Sequence, residues 1–198
     1  MSVIERLLRR DGDAGHFTIG ALAIEPMQRR DLRRGVMAIE ALSYPKPWSQ
    51  GVFESELAQV RSGSRCYLVA RAPRPSGRGR GPILGYAGLW FTSDEAHVTN
   101  VAVAPEQHRR GVATALLLAQ AEVAVDRGCD AWTLEVRVSS KGAQELYRRF
   151  GFNPAGVRAR YYENTEDAIV MWCNDIQSDG YRALLDSIRA ETERRWTP

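Results

Sequence analysis

The sequence predicts an α/β domain built on a mixed β-sheet, and three observations support this prediction. Strand-like segments follow one another with few intervening helices in the first half of the chain. Strands and helices alternate in the second half, which is typical of parallel strands joined by helices. The length of 198 residues suits one domain with short extensions, and a hydrophobic content of 44% is enough to bury a core.

The first half of the chain alternates between the two-residue period of strands and the longer period of helices. Ser49 has the character of a helix N-cap, because its hydroxyl can accept a hydrogen bond from the first helical turn. The segment 72–82 is rich in proline, glycine and arginine and is expected to be an exposed loop. The predicted elements are, in order, a strand at 19–24, helices at 31–42 and 49–60, and strands at 66–71 and 83–91.

The second half has clearer element boundaries. Pro105 ends a strand, and Gly128 and Gly151 each follow a helical segment, where glycine is a common terminating residue. The predicted elements are a strand at 98–104, a helix at 110–127, a strand at 131–138, a helix at 140–150, and two strands between 152 and about 173.

Three units are expected along the chain. Residues 1–17 form a polar N-terminal extension, residues 18–176 the domain, and residues 177–198 an amphipathic C-terminal helix. We expect the apolar side of this helix to pack against the domain or a partner. That side contains Tyr181, Leu184, Leu185 and Ile188.

The composition argues against several classes of protein. No stretch approaches the ~20 apolar residues of a membrane span, and the charged N-terminus lacks the apolar core of a secretory signal. The three cysteines lie far apart, which argues against a disulfide framework and a cysteine zinc site. The three histidines are isolated in sequence, so no metal is expected. We therefore expect a cytoplasmic protein without a membrane partner.

The net charge is +3, and all but two of the 27 basic residues are arginine. Guanidinium groups pair well with phosphates, but a GC-rich genome would produce the same bias without a functional reason. Because the arginines are spread along the chain and nearly balanced by acids, we favour the second explanation. No specific nucleic-acid partner is expected.

The segment 98–117, VTNVAVAPEQHRRGVATALL, predicts an anion site. It combines a strand, a tight basic loop and a glycine that begins a helix. The first turn of such a helix presents unpaired backbone N–H groups and a partial positive charge, which suit a pyrophosphate. The segment lacks the glycine spacing of phosphate-binding loops and of dinucleotide-binding folds. A plain strand–turn–helix joint with solvated arginines is the alternative.

Two further residues are candidates for acid–base chemistry. Glu135 lies on the polar face of the strand 131–138. If that face lines a cleft, burial would raise the pKa of Glu135 and suit it to act as a general base; the alternative is a structural pair with Arg137 or a helix. Tyr147 lies on the apolar face of the helix 140–150, and its periodicity alone predicts a core aromatic.

Taken together, these segments resemble the GNAT acetyltransferases. The resemblance rests on VTNVAVAPEQHRRGVATALL, LEVRVSSKGAQELYRRFGF, RYYENTEDAIVMW and KPWS, and it covers roughly residues 18–176 in order. More narrowly, the combination is similar to the RimI-like bacterial branch, which acetylates the N-terminal alanine of a ribosomal protein. The resemblance implies a GNAT fold, with a mixed, mostly antiparallel central sheet flanked by helices, as a single domain with an extra C-terminal helix.

The resemblance also implies acetyl-CoA as co-substrate and a role for each matching residue. Glu135 would be the general base and Tyr147 the general acid. Ser140 stands where the family commonly has an asparagine that touches the cofactor, and His108 where Gln or Arg usually begins the loop. The pantetheine arm would contact the backbone of Val101, Ala102 and Val103, and the pyrophosphate would be cradled by Arg109, Arg110, Gly111, Val112, Ala113 and Thr114.

The implied acceptor is a protein N-terminus, and a small-subunit ribosomal protein is expected. At pH 7 an α-amine costs only about 1 kcal/mol to deprotonate, whereas a lysine costs about 4.6 kcal/mol, so one carboxylate base is adequate for an α-amine. Side chains at the two early helices and the late hairpin could wall a peptide groove, with ordinary packing as the alternative. These candidates are Tyr44, Trp48, Glu54, Tyr161 and Tyr162.

Other functions stay open at this point. A GNAT enzyme that acetylates a small amine or a protein lysine is one alternative. A small-amine enzyme should carry a cluster of carboxylates on its acceptor side, for which Glu54, Glu163 and Asp167 are the candidates. A non-catalytic, regulatory acyl-CoA-binding module should lack the base or the acid, yet both are present. The sequence does not fix the oligomeric state.

Overall fold

The computed structural model describes residues 17–73 and 80–197, which form an eight-stranded sheet with helices packed on it. The strands are β1 (Phe17–Ile19), β2 (Leu22–Pro26), β3 (Arg65–Arg71), β4 (Ile83–Phe91), β5 (Glu95–Val103), β6 (Ala131–Arg137), β7 (Asn153–Tyr162) and β8 (Glu166–Asn174). The α-helices are α1 (Arg29–Asp31), α2 (Met37–Ser43), α3 (Gln50–Gln59), α4 (Val112–Asp126), α5 (Lys141–Arg149) and α6 (Asp179–Arg195). Among the helices in these described ranges, none combines the length and the apolar character that a membrane span needs.

The sheet has the order β1–β2–β3–β4–β5–β6–β8–β7. Every neighbouring pair is antiparallel except β5 and β6, which run parallel. The parallel pair is joined through α4, because parallel neighbours require a long crossover connection. The predicted single domain with a mixed, mostly antiparallel sheet is confirmed.

The pairing between β5 and β6 is short, and this opens the middle of the sheet. Residues 95–98 of β5 pair with residues 131–134 of β6. Both strands continue past this segment, and there each is paired only with its outer neighbour, β4 for β5 and β8 for β6. A gap between β5 and β6 therefore opens towards the carboxyl ends of the two strands.

Two apolar clusters hold the sheet between its helices. Nearly all side chains of α4 are buried, in the same cluster as Trp132 of β6 and the nearby Phe150 and Phe152. In the other cluster Phe53 of α3 packs edge-to-face against Tyr86 of β4, with ring centroids 5.5 Å apart. Of the two strands that border the gap, β5 contributes to both clusters, through Val103 to the first and Ala102 to the second, and β6 contributes to the first.

The strand predicted at 19–24 was wrong in its extent. The apolar run belongs to two strands, β1 and β2, which pair as a hairpin around Gly20 and Ala21. Gly20 has φ +56, a left-handed conformation that glycine adopts without steric strain. A two-residue turn inside an apolar run carries too little polarity to be detected from the pattern of hydrophobicity.

The helix predicted at 31–42 is interrupted at Gly35. The backbone of Gly35 has non-helical angles, and Leu32–Val36 forms a π-helical segment between α1 and α2. A Cβ atom at Gly35 would lie 3.1 Å from Cβ of Ile83, so glycine lets this segment pass close to β4. The interruption follows from packing against the sheet, which helical periodicity does not reveal.

The other predicted elements are present, with small differences at their ends. Ser49 caps α3 as predicted, because its hydroxyl accepts a hydrogen bond from the Val52 amide at 3.4 Å. The apolar side of α6 packs against the main cluster through Tyr181, Leu185 and Ile188. Of the predicted extension 1–17, only Phe17 lies within the described residues, where it begins β1; residues 74–79 of the predicted loop also lie outside them.

Candidate functional site

A first pocket of about 480 Å³ opens beside the end of β5. Val101 and Val103 of β5 line one wall, and Ala143 and Leu146 of α5 line another. The loop between β5 and α4 closes one end of the pocket, and Tyr147 also borders it. The pocket is therefore an apolar channel that leads to a basic loop.

The loop before α4 is shaped to receive an anion. Arg109 (φ 63) and Gly111 (φ 84) both have left-handed backbone angles, so the chain turns sharply before α4 begins at Val112. No side chain in the described part of the protein caps this helix, and the N–H groups of its first turn are available to a ligand. Together with the helix dipole and the Arg109 side chain, they make this end of the pocket electropositive.

The pocket fits the co-substrate that the resemblance implies. The apolar channel suits a pantetheine arm, and the electropositive loop suits a pyrophosphate. Seven of the residues predicted for acetyl-CoA line it, namely Val101, Val103, Arg109, Gly111, Val112, Ala113 and Thr114.

Three other residues predicted for acetyl-CoA do not line this pocket. Ala102 is buried in the second cluster, on the opposite face of β5 from Val101 and Val103, as strand alternation requires. Arg110 turns away, and its guanidinium donates to Gln107 and lies over the ring of Trp196. The third is Ser140, which precedes α5 without forming a side-chain capping bond. The motif thus locates the loop but not the direction of each side chain.

His108 attaches the loop to the end of β5. Its Nε2 lies 2.9 Å from the carbonyl oxygen of Val103, and its side chain borders the first pocket. Histidine at this position therefore has a structural contact that helps to set the shape of the loop.

A second pocket of about 260 Å³ lies at the gap between β5 and β6. Four of the five residues predicted for the acceptor groove line it, namely Tyr44, Trp48, Tyr161 and Tyr162. The fifth, Glu54, does not line it. Its carboxylate accepts a hydrogen bond from Gln50 Nε2 at 2.6 Å, one turn away on α3.

Glu135 lines the second pocket, and its side chain is only 7% exposed. Its Oε2 lies 3.1 Å from Nε2 of His97, and its Oε1 lies 3.0 Å from Nη1 of Arg158. The hydrogen bond with His97, supported by the charge of Arg158, lowers the pKa of Glu135 although burial opposes the shift. The raised pKa predicted from the sequence was wrong, because that prediction included burial but not these two partners.

Arg137, the alternative structural partner of Glu135, binds other carboxylates. It lies 2.8 Å from Glu163 and 3.0 Å from Glu166, which flank the turn between β7 and β8. Its guanidinium also lies over the ring of Tyr162, 4.1 Å from the centroid. Arg137 thus fixes one wall of the second pocket and leaves Glu135 to its own partners.

His97 is the site residue that sequence reasoning missed. It is isolated in the sequence because its partner lies on another strand, yet it lines the second pocket beside Glu135. The parallel register pairs His97 with Thr133, two residues before Glu135. An alignment of the polar positions of two strands joined by a helix could have found this contact. Within residues 17–73 and 80–197, no group of three or more His, Cys, Asp or Glu side chains is placed to hold a metal ion.

The two pockets meet along β5, because Thr99 and Asn100 line the second and Val101 and Val103 line the first. Tyr147 lines the first pocket, and Tyr44 and Tyr162 line the second. Burial raises the pKa of Tyr44 and of Tyr162, and the nearby Tyr147 adds to the shift. Tyr44 donates from its hydroxyl to the Val101 carbonyl at 2.9 Å, and Tyr162 donates to the Glu135 carbonyl at 3.0 Å. Tyrosine side chains therefore contact the backbone on both sides of the gap between β5 and β6.

Tyr147 belongs both to the core and to the pocket. Its ring packs edge-on against Phe152, with centroids 5.8 Å apart, as its helical periodicity predicted. Burial raises the pKa of Tyr147 to about 12, so the hydroxyl keeps its proton at neutral pH. A protonated phenol at the junction of two pockets can donate a hydrogen bond to a ligand there.

Known proteins are similar to this chain in sequence and in fold. The model of the acetyltransferase (GNAT) family matches residues 33–152. A protein of Bacillus subtilis (strain 168), provisionally named a ribosomal protein bS18-alanine N-acetyltransferase, is 35% identical over 151 residues, or 76% of this chain and 93% of its own. The enzyme of that name from Escherichia coli (strain K12) is 35% identical over 136 residues, 67% of this chain and 84% of its own. The crystal structure of the ribosomal-protein-S18-alanine N-acetyltransferase from Escherichia coli matches with a TM-score of 0.66 at 29% identity, covering 78% of this chain and 94% of that one.

Proposed function

Since this chain belongs to the acetyltransferase (GNAT) family, whose enzymes use acetyl-CoA, we propose that it acetylates the N-terminal α-amine of a ribosomal protein. The family membership expected from the sequence is confirmed. Relatives named ribosomal protein bS18-alanine N-acetyltransferases are the reason to propose alanine as the first residue of the acceptor and a small-subunit ribosomal protein as its source.

The observation that carries this proposal is the meeting of the two pockets at the gap between β5 and β6. The first pocket offers a channel and an anion loop for acetyl-CoA, and the second offers the Glu135 carboxylate and aromatic walls. Tyr147 lies at their junction. An amine that enters through the second pocket would meet a thioester between a carboxylate and a protonated phenol, which is the arrangement that direct transfer requires.

In the proposed reaction the amine nitrogen attacks the carbonyl carbon of the thioester, and the carbon–sulfur bond breaks. Glu135 is ionised at neutral pH because His97 and Arg158 lower its pKa, and it accepts the proton that the amine loses, directly or through water. Tyr147, which keeps its proton at neutral pH, donates a hydrogen bond to the departing sulfur as charge develops there, and the released thiolate, whose pKa is about 8.5, then takes a proton from solvent. No covalent intermediate with the protein is needed.

The lowered pKa of Glu135 also favours one class of acceptor. A carboxylate with a lowered pKa is a weak base, so it suits an amine that loses its proton readily. At pH 7 that loss costs about 1 kcal/mol for an α-amine but about 4.6 kcal/mol for a lysine side chain. This difference supports an N-terminal amine over a protein lysine.

A small polyamine is the weaker candidate, because the carboxylates that it would need do not converge. Glu54 lies outside the second pocket and accepts a hydrogen bond on its own helix. Asp167 accepts a hydrogen bond from the backbone N–H of Arg160 at 2.7 Å. Glu163 lines the second pocket but pairs with Arg137 at 2.8 Å.

We expect the acidic limb of the pH profile of kcat/KM to follow the acceptor amine and not Glu135. The lowered pKa of Glu135 means that this carboxylate stays ionised until the pH falls below the ordinary carboxylate range. Activity lost as the pH falls through the neutral range therefore reports protonation of the α-amine, whose pKa is about 7.7. Tyr147, with a pKa of about 12, keeps its proton across this range and adds no basic limb there.

The measurement compares two peptides that differ only in their first residue, alanine or 3-fluoroalanine. Fluorine withdraws electrons and lowers the pKa of the amine, so the acidic limb should move to lower pH with the fluorinated peptide. If the acidic limb falls at the same pH for both peptides, it reports a group of the enzyme, which would contradict the expectation.

The proposed function is tested by the release of CoA from acetyl-CoA in the presence of hexapeptides that begin with alanine. One peptide has a free N-terminus, and its control has the same sequence with a blocked N-terminus. We expect turnover with the free peptide alone, since the reaction needs a neutral α-amine. Turnover of neither peptide by a protein that binds acetyl-CoA would contradict N-terminal transfer and favour a small amine or a regulatory role.

A further inference from the structure

The C-terminal helix reaches the first pocket. Arg195, the last residue of α6, lines this pocket together with Arg149, the last residue of α5. A Cβ atom added at Gly111 would lie 3.6 Å from Cδ of Arg195. The end of α6 is therefore in contact distance of the loop that we assign to the pyrophosphate.

The end of this helix is held in place by the other end of the described chain. The carbonyl oxygen of Trp196 accepts a hydrogen bond from the amide of Ala21 at 2.9 Å. Gly20 packs so closely on Trp196 that an added Cβ would lie 2.8 Å from its carbonyl oxygen. The guanidinium of Arg110 lies over the ring of Trp196, 5.6 Å from the centroid. The contacts of Trp196 thus fix the position of the neighbouring Arg195.

A shared carboxylate aligns the two arginines. Glu191 of α6 lies 2.5 Å from Nη2 of Arg149 through one oxygen and 3.0 Å from Nη2 of Arg195 through the other. Each guanidinium has further N–H groups that can bind a second anion. Among the residues that line the first pocket, Glu145 is the one acid beside the arginines Arg109, Arg149 and Arg195. With Glu191 included, three arginines face two carboxylates, so this mouth of the pocket carries a net positive charge.

We propose that Arg195, together with Arg149, binds the 3′-phosphate on the ribose of CoA, an inference that rests on the proposed function. The backbone N–H groups of the loop before α4 account for the pyrophosphate, and the 3′-phosphate is the other anionic group of this ligand. It carries up to two negative charges and suits the paired donors of guanidinium groups. The C-terminal helix is thus part of the co-substrate site.

The test measures the dissociation constants of CoA and 3′-dephospho-CoA by titration calorimetry, without any acceptor. Wild-type protein should bind CoA more tightly than 3′-dephospho-CoA. Arg195→Gln should weaken CoA binding about tenfold, as expected for a hydrogen-bonded charged pair, and leave 3′-dephospho-CoA binding unchanged. Arg195→Lys keeps the positive charge but loses the paired N–H donors of the guanidinium. Its affinity for CoA should lie between those of the wild type and Arg195→Gln. Arg194→Gln, an exposed neighbour on the same helix, is the matched control and should bind both ligands as wild type does.

Three results would overturn the inference. They are equal wild-type affinity for the two ligands, unchanged CoA binding in Arg195→Gln, and an equal loss for both ligands in that variant with the thermal unfolding temperature retained. Because no acceptor is present, these results are independent of peptide acetylation. A wild-type protein that binds neither ligand would instead contradict the proposed function itself.

Discussion

Replacing Glu135 with Gln is expected to lower kcat by roughly 100-fold or more, the usual range for loss of a general base. Glutamine has nearly the same shape, but its amide nitrogen cannot accept a hydrogen bond, so one oxygen remains to face His97 or Arg158, and the side chain cannot accept the proton of the amine. Glu135 lines the second pocket and not the first. The dissociation constant of acetyl-CoA should therefore change little.

The experiment measures kcat with the alanine peptide and, separately, the affinity for acetyl-CoA. The control is Asp186→Asn, which removes a carboxylate from the exposed side of α6. Its kcat should equal that of the wild type. Full activity of Glu135→Gln would refute the assignment of the base. A parallel loss of acetyl-CoA affinity and of the unfolding temperature would assign Glu135 a structural role.

Replacing Tyr147 with Phe is expected to lower kcat by about 10- to 100-fold, which matches the loss of a hydrogen bond to a charged group. The ring remains packed on Phe152, so the fold and the affinity for acetyl-CoA should be nearly unchanged. We expect a smaller effect than for Glu135→Gln. A thiolate is a good leaving group, whereas a protonated amine cannot attack at all.

The pKa of Tyr147 explains why its hydrogen bond matters more than its proton. Burial raises this pKa to about 12. A thiol in water has a pKa of about 8.5, so complete transfer from phenol to thiolate is unfavourable by about 5 kcal/mol. Tyr147 therefore acts chiefly by donating a hydrogen bond to the sulfur as charge develops there.

Tyr181→Phe provides the control for this variant, because Tyr181 lies buried on the apolar side of α6 and lines neither pocket. Its kcat should match that of wild type. If Tyr147→Phe retained wild-type turnover while binding acetyl-CoA normally, another group would have to stabilise the departing sulfur, and Tyr147 would not be the general acid.

Much of the fold could be predicted because its strands and helices differ in period. The strand at 83–91 and the helix capped by Ser49 were both predicted at or near their observed bounds. The hairpin at Gly20 and the break at Gly35 could not be predicted in this way. One depends on a turn of two residues, and the other on the close approach of Ile83 from a strand far along the chain.

Only part of the candidate site could be predicted from the sequence, because some of its properties depend on contacts between distant strands. The anion loop and Tyr147 lie in local motifs, so the sequence alone could indicate them. The pKa of Glu135 depends on His97 and Arg158, which reach it across the sheet from other strands. Without the strand register, burial is the only influence on the pKa of Glu135 that the sequence indicates. Burial raises this pKa, whereas His97 and Arg158 lower it.

The hydrogen bond from Ala21 to Trp196 joins the two ends of the described chain beside the first pocket. Docking of the last helical turn and occupancy of that pocket are therefore linked equilibria, if Arg195 contacts the ligand. A ligand present at about 100 times its dissociation constant stabilises the state that binds it by about 2.7 kcal/mol. CoA would then stabilise the docked C-terminal helix, so the free energy of local unfolding of this helix would depend on the concentration of CoA.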